Sequence, residues 1–168
     1  MSGFKLLLLS AAVFFFVSCE RKEMVDEFIE KYDNADFSMF KDVHITLRRG
    51  AYIFSDEINK SVYFVEFKDG QVINVGAYDS VKRHLSNDKI KTLLKAFDDY
   101  EFYSLGCDKK KNVFINPFYA GGGTFFLRVD KESGQKEIRL NNNIFIHYKG
   151  RWYISTDYLD KNNNLRMS

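Results

Sequence analysis

Two cysteines, three histidines, a glycine run and a few clustered carboxylates are the residues whose type and spacing could do chemistry in this chain. Cys107 lies in "SLGCDKKKN", where three following lysines could lower a thiol pKa and expose a nucleophile. A catalytic thiol also needs a histidine base with an orienting group, and His44, His84 and His147 are scattered along the chain. A small residue at a strand end is the plainer account of Cys107, and Lys109 to Lys111 read as a solvated turn. No two histidines stand at metal-ligand spacing and Cys107 has no second sulfur beside it, so no metal site is expected. "AGGGTFF", residues 120–126, invites a phosphate-loop reading, but that needs a Lys followed by Ser or Thr opening a helix. Here the glycines run into a strand pattern, which suits a bulge or loop. "DKNNNL", residues 160–165, begins like a calcium loop yet places Leu165 where glycine is required. Asp98, Asp99 and Glu101 could serve a carboxylate-dependent hydrolase, although they read more simply as the polar end of an amphipathic helix. No catalytic residue, metal or cofactor is therefore expected.

The second sulfur, Cys19, has a different setting. Lys5 gives a short positive start, and residues 6–17 are apolar except for Ser10. That run matches the ~7–15-residue core of a secretory signal and falls short of the ~20 residues that span a bilayer. "VSCERKE" then turns abruptly from apolar to charged. Small Ser18 directly before Cys19, with Val17 and Phe16 ahead of it, resembles the lipobox of bacterial lipoproteins, although that family usually has Leu where this chain has Phe16. The resemblance implies that residues 1–18 are a signal peptide and that Cys19 carries a diacylglyceryl group as the new amino terminus. Acyl chains add ~0.8 kcal/mol of membrane affinity per buried methylene, and two or more anchor stably. The implied location is the bacterial cell envelope, on a periplasmic or surface face, with palmitate-like chains in the membrane.

Residues 19–168 make one domain's worth of chain. Of 25 Lys and Arg only Lys5 lies in the leader, so the remainder almost balances the 23 Asp and Glu. That balance argues against a nucleic-acid partner, which needs a clustered basic excess. With Cys19 lipidated, Cys107 has no partner, and cohesion must come from packing. Aromatic side chains, each burying ~150–250 Å², are abundant: 17 Phe, 10 Tyr and one Trp in the whole chain.

The elements follow from periodicity. Met24, Val25, Phe28, Ile29 and Tyr32 recur at helical spacing, and the acidic opposite face (Glu23, Asp26, Glu27, Glu30) suits packing on protein better than on anionic lipid. "VHITL" alternates, which sends His44 toward solvent. "SVYFVEFKDGQVINVGAY" predicts a hairpin at Asp69-Gly70, with Phe67 facing Val72 and Val65 facing Asn74. "SNDKIKTLLKAFDDY" predicts a helix capped by Ser86 or Asn87. Strands are predicted over 102–107, 113–116, 124–130, 136–140, 144–148 and 151–155. "TFFLRVD" and "KEIRL" read as a pair joined through Ser133-Gly134, and "IFIHYKGRWYIS" as a hairpin at Lys149-Gly150 that sets His147 opposite Trp152 and places Phe145 with Ile154. The fold class is α+β: a mainly antiparallel sheet of sequential hairpins with two helices on one face.

One region invites partner contact. "INPFYAGGG" carries the chain's only proline, Phe118, Tyr119 and three glycines, and loop aromatics of this kind furnish binding patches. The functional expectation is a lipid-anchored, non-enzymatic module that binds a protein or small ligand, with Phe118 and Tyr119 as partner-binding candidates. An immunity or inhibitor lipoprotein that neutralises a toxin or hydrolase is the alternative in the same class, and a carboxylate hydrolase the one outside it.

Overall fold

A computed structural model describes residues 22–77, 85–118, 123–140 and 142–161. The chain divides into two compact units, one running from Asp36 to Asp157 and the other made of the residues before and after it. Cys19, Tyr119 and His84 lie outside the described residues.

Helix α1 occupies 22–32. Its buried row is Val25, Ile29 and Tyr32, spaced at four and three residues, while Met24 remains 42% exposed. Phe28 leans on Tyr32 with ring centroids 5.0 Å apart, and the Lys31 ammonium sits 5.0 Å from the Tyr32 ring centre.

Among the described residues ten strands form a single sheet: β1 Val43–Arg48, β2 Ala51–Asp56, β3 Ser61–Lys68, β4 Gln71–Ala77, β5 Ser104–Cys107, β6 Val113–Asn116, β7 Phe126–Arg128, β8 Glu137–Leu140, β9 Asn143–Lys149 and β10 Trp152–Ser155. Their order is β4-β3-β2-β1-β5-β6-β7-β10-β9-β8, and each neighbouring pair is antiparallel. Helix α2 spans Asn87–Asp98, a 3-10 turn spans Ser38–Phe40, and helix α3 spans Thr156–Lys161. The fold is thus mixed α and β, mostly sheet with little helix. The first four strands grow outward from β1, and the chain then returns through α2 to the other side of β1, where β5 to β7 grow the opposite way.

Turn chemistry fixes the first half. Arg49 and Gly50, with φ of 51° and 79°, join β1 to β2, a strand for which the sequence pattern gives no expectation. Asp69 and Gly70, with φ of 49° and 71°, join β3 to β4 as the paired residues of a tight turn must. Phe67 lies opposite Val72, but a bulge follows, so Val65 faces Val75 and not Asn74. Helix α2 is capped by Ser86, whose hydroxyl accepts the Lys89 amide at 3.2 Å. Its apolar row Ile90, Leu93, Leu94 and Phe97 is buried. The helix meets β2 through Tyr52, whose ring stands edge-on to Phe97 and whose hydroxyl donates to Asp98 at 2.8 Å.

The second half departs from the sequential pattern. β7 pairs with β10 and not with β8, so "TFFLRVD" and "KEIRL" are not neighbours. Burial explains the swap. β10 is buried along its whole length and needs a central place, whereas β8 alternates between exposed and half-buried residues and suits an edge. In the β9–β10 turn Lys149 pairs with Trp152, leaving Gly150 (φ 54°) and Arg151 as the turn residues. Glycine at the first of two turn positions is the pattern of a type II′ turn. This turn, together with a bulge between Trp152 and Tyr153, shifts the register from the expected one: His147 opposes Tyr153, and Phe145 opposes Ser155. Phe145 and Tyr153 join Phe114, Leu127 and Val129 in a cluster on one face.

Candidate functional site

Register alone sets up the cleft. Cys107 pairs with Val113, Val113 with Arg128, and Arg128 with Trp152, so one row crosses β5, β6, β7 and β10. Side chains paired across strands share a face, which brings these four together. Arg128 is only 8% exposed. Its guanidinium carbon lies 4.9 Å from the centre of the Phe37 ring and 5.9 Å from that of Trp152, a double cation–π contact. Phe37 is itself held by a ring cluster, 5.1 Å from Tyr100 and 6.5 Å from Phe102, with Tyr100 and Phe102 stacked at 5.4 Å. Such pairs contribute about 0.5–1.5 kcal/mol each beyond area burial, so the aromatic wall of the cleft is firm.

Around this cation opens a cleft of about 230 Å³ lined by Asp36, Phe37, Ser38, Cys107, Lys111, Val113, Arg128, Asp130 and Arg151. Asp36 accepts the Ser38 amide at 2.8 Å. That hydrogen bond holds its carboxyl below the usual carboxylate range, aided by the Ser38 side chain and by the charges of Arg128 and Lys111. Lys111 is placed by a loop built on Asp108, whose carboxylate accepts the Lys110 and Asn112 amides and the Asn112 side chain at 2.8–2.9 Å. The Lys111 amide closes the loop on the Asp108 carbonyl with φ of 64°.

The cleft does not activate its sulfur. Burial pushes the Cys107 thiol up to about 11, Asp108 and Asp42 add to this, and Arg128 and Lys41 oppose it. The three lysines after Cys107 do not make a thiolate of it. The sulfur instead points at the Asp108 carbonyl, 3.7 Å away. A thiol pushed up in this way stays protonated near neutral pH.

A second polar group sits on the opposite face of the same strands, and it corrects the reading of His44. His44 is half-buried, with Nε2 2.5 Å from the Ser104 hydroxyl, and Thr46 lies 3.3 Å from the same oxygen. The ring packs closely against Gly106, where an added Cβ would stand 2.7 Å from Nδ1. Alternation alone cannot distinguish a strand face open to water from one whose neighbour is a glycine. Burial lowers the His44 pKa to about 4. Serine beside imidazole suggests nucleophilic catalysis, but Ser104 is 4% exposed and the second ring nitrogen faces backbone instead of an orienting carboxylate. It is a satisfied internal network.

The remaining candidates fall apart in space. Phe118 is half-buried, its ring edge-on to Phe126 at 5.8 Å and its amide donating to Asn116 at 3.1 Å; it does not line the cleft. Its neighbour Tyr119 and glycines 121 and 122 lie outside the described residues. His147 stands 5.2 Å from the Tyr153 ring and bonds the Gly150 carbonyl at 3.0 Å. Asp98 is engaged by Tyr52, away from the cleft. Among the described residues no group of three His, Cys, Asp or Glu could hold a metal, and no helix is long and apolar enough to cross a membrane.

Sequence reasoning missed Arg128, although a signal was there. In "FFLRVD" the face shared by Phe126, Arg128 and Asp130 sets a charge directly after a large apolar residue, within a strand otherwise fit for a core. Asp36 and Arg151 carry no such mark. No protein-family model, curated protein or solved structure matches the chain, so its function has to be read from this geometry.

Proposed function

We propose that this chain is a non-enzymatic binding module of the bacterial cell envelope, tethered through a lipidated Cys19 once residues 1–18 have been removed. In this reading α2 lies on one face of the mainly antiparallel sheet, and the Arg128 cleft is the surface that meets a partner or ligand. The observation that carries the binding half is the pairing of a rigidly held cation with an unreactive thiol in one open cleft. Arg128 is pinned between two rings, and Cys107 stays protonated beside it. Such a site recognises without transforming. The lipid half rests on "FVSCERKE", where the apolar run, small residue, cysteine and sudden charge coincide. Phe118 and Tyr119 remain partner-contact candidates on a separate loop.

Expression of the full chain in a bacterial host, followed by membrane fractionation and intact-mass measurement, tests the tether. The expected product begins at Cys19, carries the mass of a diacylglyceryl group, and leaves the membrane fraction in Cys19→Ala. A bare or differently placed terminus overturns it. Affinity capture of the lipidated chain, wild type against Arg151→Glu, tests the binding half. Loss of the captured species in the variant is expected; unchanged capture removes the cleft from the reading.

A further inference from the structure

We infer that one end of the Asp36–Asp157 unit, the tip made by the 3-10 turn, the β2–β3 turn and the β5–β6 loop, docks on an anionic lipid surface; this deepens the envelope reading, which supplies the membrane, and rests on it. Strand direction gathers the three segments. β1, β3 and β6 start at this end, β2 and β5 finish there, and Val43 lies opposite both Asp56 and Cys107. Backbone hydrogen bonds then tie the segments together. The Asp42 amide donates to the Cys107 carbonyl at 2.6 Å, and the Glu57 amide donates to the Asp42 carbonyl at 2.9 Å.

The tip presents apolar side chains among lysines. Ile58 is 71% exposed, and Met39 on the 3-10 turn is 36% exposed. A lone apolar side chain on a surface is ordinary, but Ile58 sits on a fixed turn. The buried Asp56 carboxylate accepts the Ile58 and Asn59 amides at 3.0 and 3.1 Å and the Asn59 side chain at 2.8 Å. Lys41, Lys60, Lys109 and Lys110 are exposed on the same segments, and among the described residues none of the four forms an ion pair. The acids of these segments are set deeper. Asp42 and Asp108 are half-buried, and the Asp108 oxygens already accept the Lys110 and Asn112 amides and the Asn112 side chain. Glu57 is therefore the one exposed carboxylate beside four exposed ammonium groups. Lys111 and Asp36 line the neighbouring cleft and are left out of this count. Clusters of ~4–8 basic residues are drawn to anionic lipid, and Lys is a mobile point charge suited to headgroups spread over a fluid surface. Protein interfaces are anchored instead by Trp, Tyr and Arg, and residues 38–42, 56–61 and 108–112 contain none of these.

Ile58→Trp sets a fluorophore on the tip, and brominated acyl chains quench it only where it enters the bilayer; Trp152 is buried and gives a constant background. The chain purified from a bacterial membrane is mixed with vesicles of brominated phosphatidylglycerol or brominated phosphatidylcholine. Quenching at least about twofold stronger in phosphatidylglycerol is expected, and it should vanish in about 1 M sodium chloride, where screening sets in within ~3 Å. Lys109→Glu with Lys110→Glu should reduce it to the phosphatidylcholine level. Lys68→Glu with Lys95→Glu makes the same charge change at the opposite end of the sheet, where Lys95 lies against Gly70, and should leave the quenching intact. No quenching, equal quenching in the two lipids, or equal loss in the two double variants overturns the inference. Capture of a protein that depends on Lys109 and Lys110, with no quenching by lipid, assigns the tip to a protein and overturns it too. Flotation with phosphatidylcholine vesicles reads the tether separately, because acyl chains insert without headgroup charge. A chain that floats there but is not quenched keeps the tether and loses the tip. One that is quenched in phosphatidylglycerol but does not float with phosphatidylcholine keeps the tip and loses the tether.

Discussion

Strand β5 serves two polar regions that treat their side chains in opposite ways. Cys107 faces the Arg128 cleft, and Ser104 with Gly106 faces His44 on the other side of the sheet. The His44 group is neutral and closed, with imidazole, serine and threonine using one another's hydrogen-bonding capacity and a glycine making room for the ring. The cleft is charged and open, with Lys111 and Asp130 on its walls and Arg128 held by rings. Chemistry-bearing residue types are therefore a poor guide to function in this chain. Ser and His look catalytic and make an internal hydrogen-bonded group, while an arginine in a core strand looks incidental and lines the charged cleft. What separates the regions is charge and exposure: the first is neutral and closed, and the second carries exposed Lys111 and Asp130 on its walls.

The most severe way to break the comparison is to force charge into the closed region. Folded His44 titrates near 4 because burial disfavours the imidazolium, whereas an unfolded chain protonates its histidine near 6.5. Between those values the unfolded state binds the extra proton, so stability is full above pH 6.5 and falls as pH drops toward 4. The loss amounts to about 3 kcal/mol. Denaturant unfolding from pH 7.5 to 4, compared with His44→Gln, should show a steeper decline for the wild type. Parallel curves would mean that the imidazole finds solvent and that the two regions do not differ in closure.

Less severe, but more local, is Gly106→Ala. The new Cβ would stand 2.7, 2.8 and 3.1 Å from three atoms of His44, all of them in or next to the ring. Neither neighbour yields easily, because β5 is buried along its length. Overpacking of this kind costs about 1–3 kcal/mol. Gly76→Ala, with nothing within 4 Å of its Cβ, is the matched control and should change stability by under ~0.5 kcal/mol. Equal effects in the two variants would show that His44 does not need the glycine floor.

These residues also mark what the sequence makes legible. Local signals are readable because one short stretch contains their cause. Asp69-Gly70 turns β3 into β4, and Ser86 caps α2 through a hydroxyl three residues from the amide it accepts. Where two local choices are close in energy the reading slips. Gly150 opens the β9–β10 turn instead of closing it, which with the bulge between Trp152 and Tyr153 moves His147 from Trp152 to Tyr153. Long-range placement was not legible. That β10 displaces β8 from the side of β7 depends on which strand must be buried on both faces, a property of the assembled sheet. The cleft belongs to that category, since Asp36, Cys107, Arg128 and Arg151 meet only after the strands have found their order. The Gly106 floor under His44 is likewise a cross-strand fact, 62 positions away in sequence but adjacent in register.

The gentlest test acts on the open region and sharpens the contrast by its smallness. Lys111→Glu reverses a charge on an exposed side chain whose backbone is already fixed by Asp108. Surface charges of this kind contribute about 0–1 kcal/mol, so stability should move by no more than ~0.5 kcal/mol. The Asp36 carboxyl provides an internal gauge. Its main hold is the Ser38 amide, with Lys111 only a minor contributor, so in the variant its titration should rise slightly yet stay below the ordinary carboxylate range. Carbon-detected NMR titration of Asp36 reads this directly. A large rise in Asp36, or a stability loss above ~1 kcal/mol, would show that Lys111 and Asp36 already satisfy each other. The cleft would then be a second closed network like that of His44, with no capacity left for a ligand.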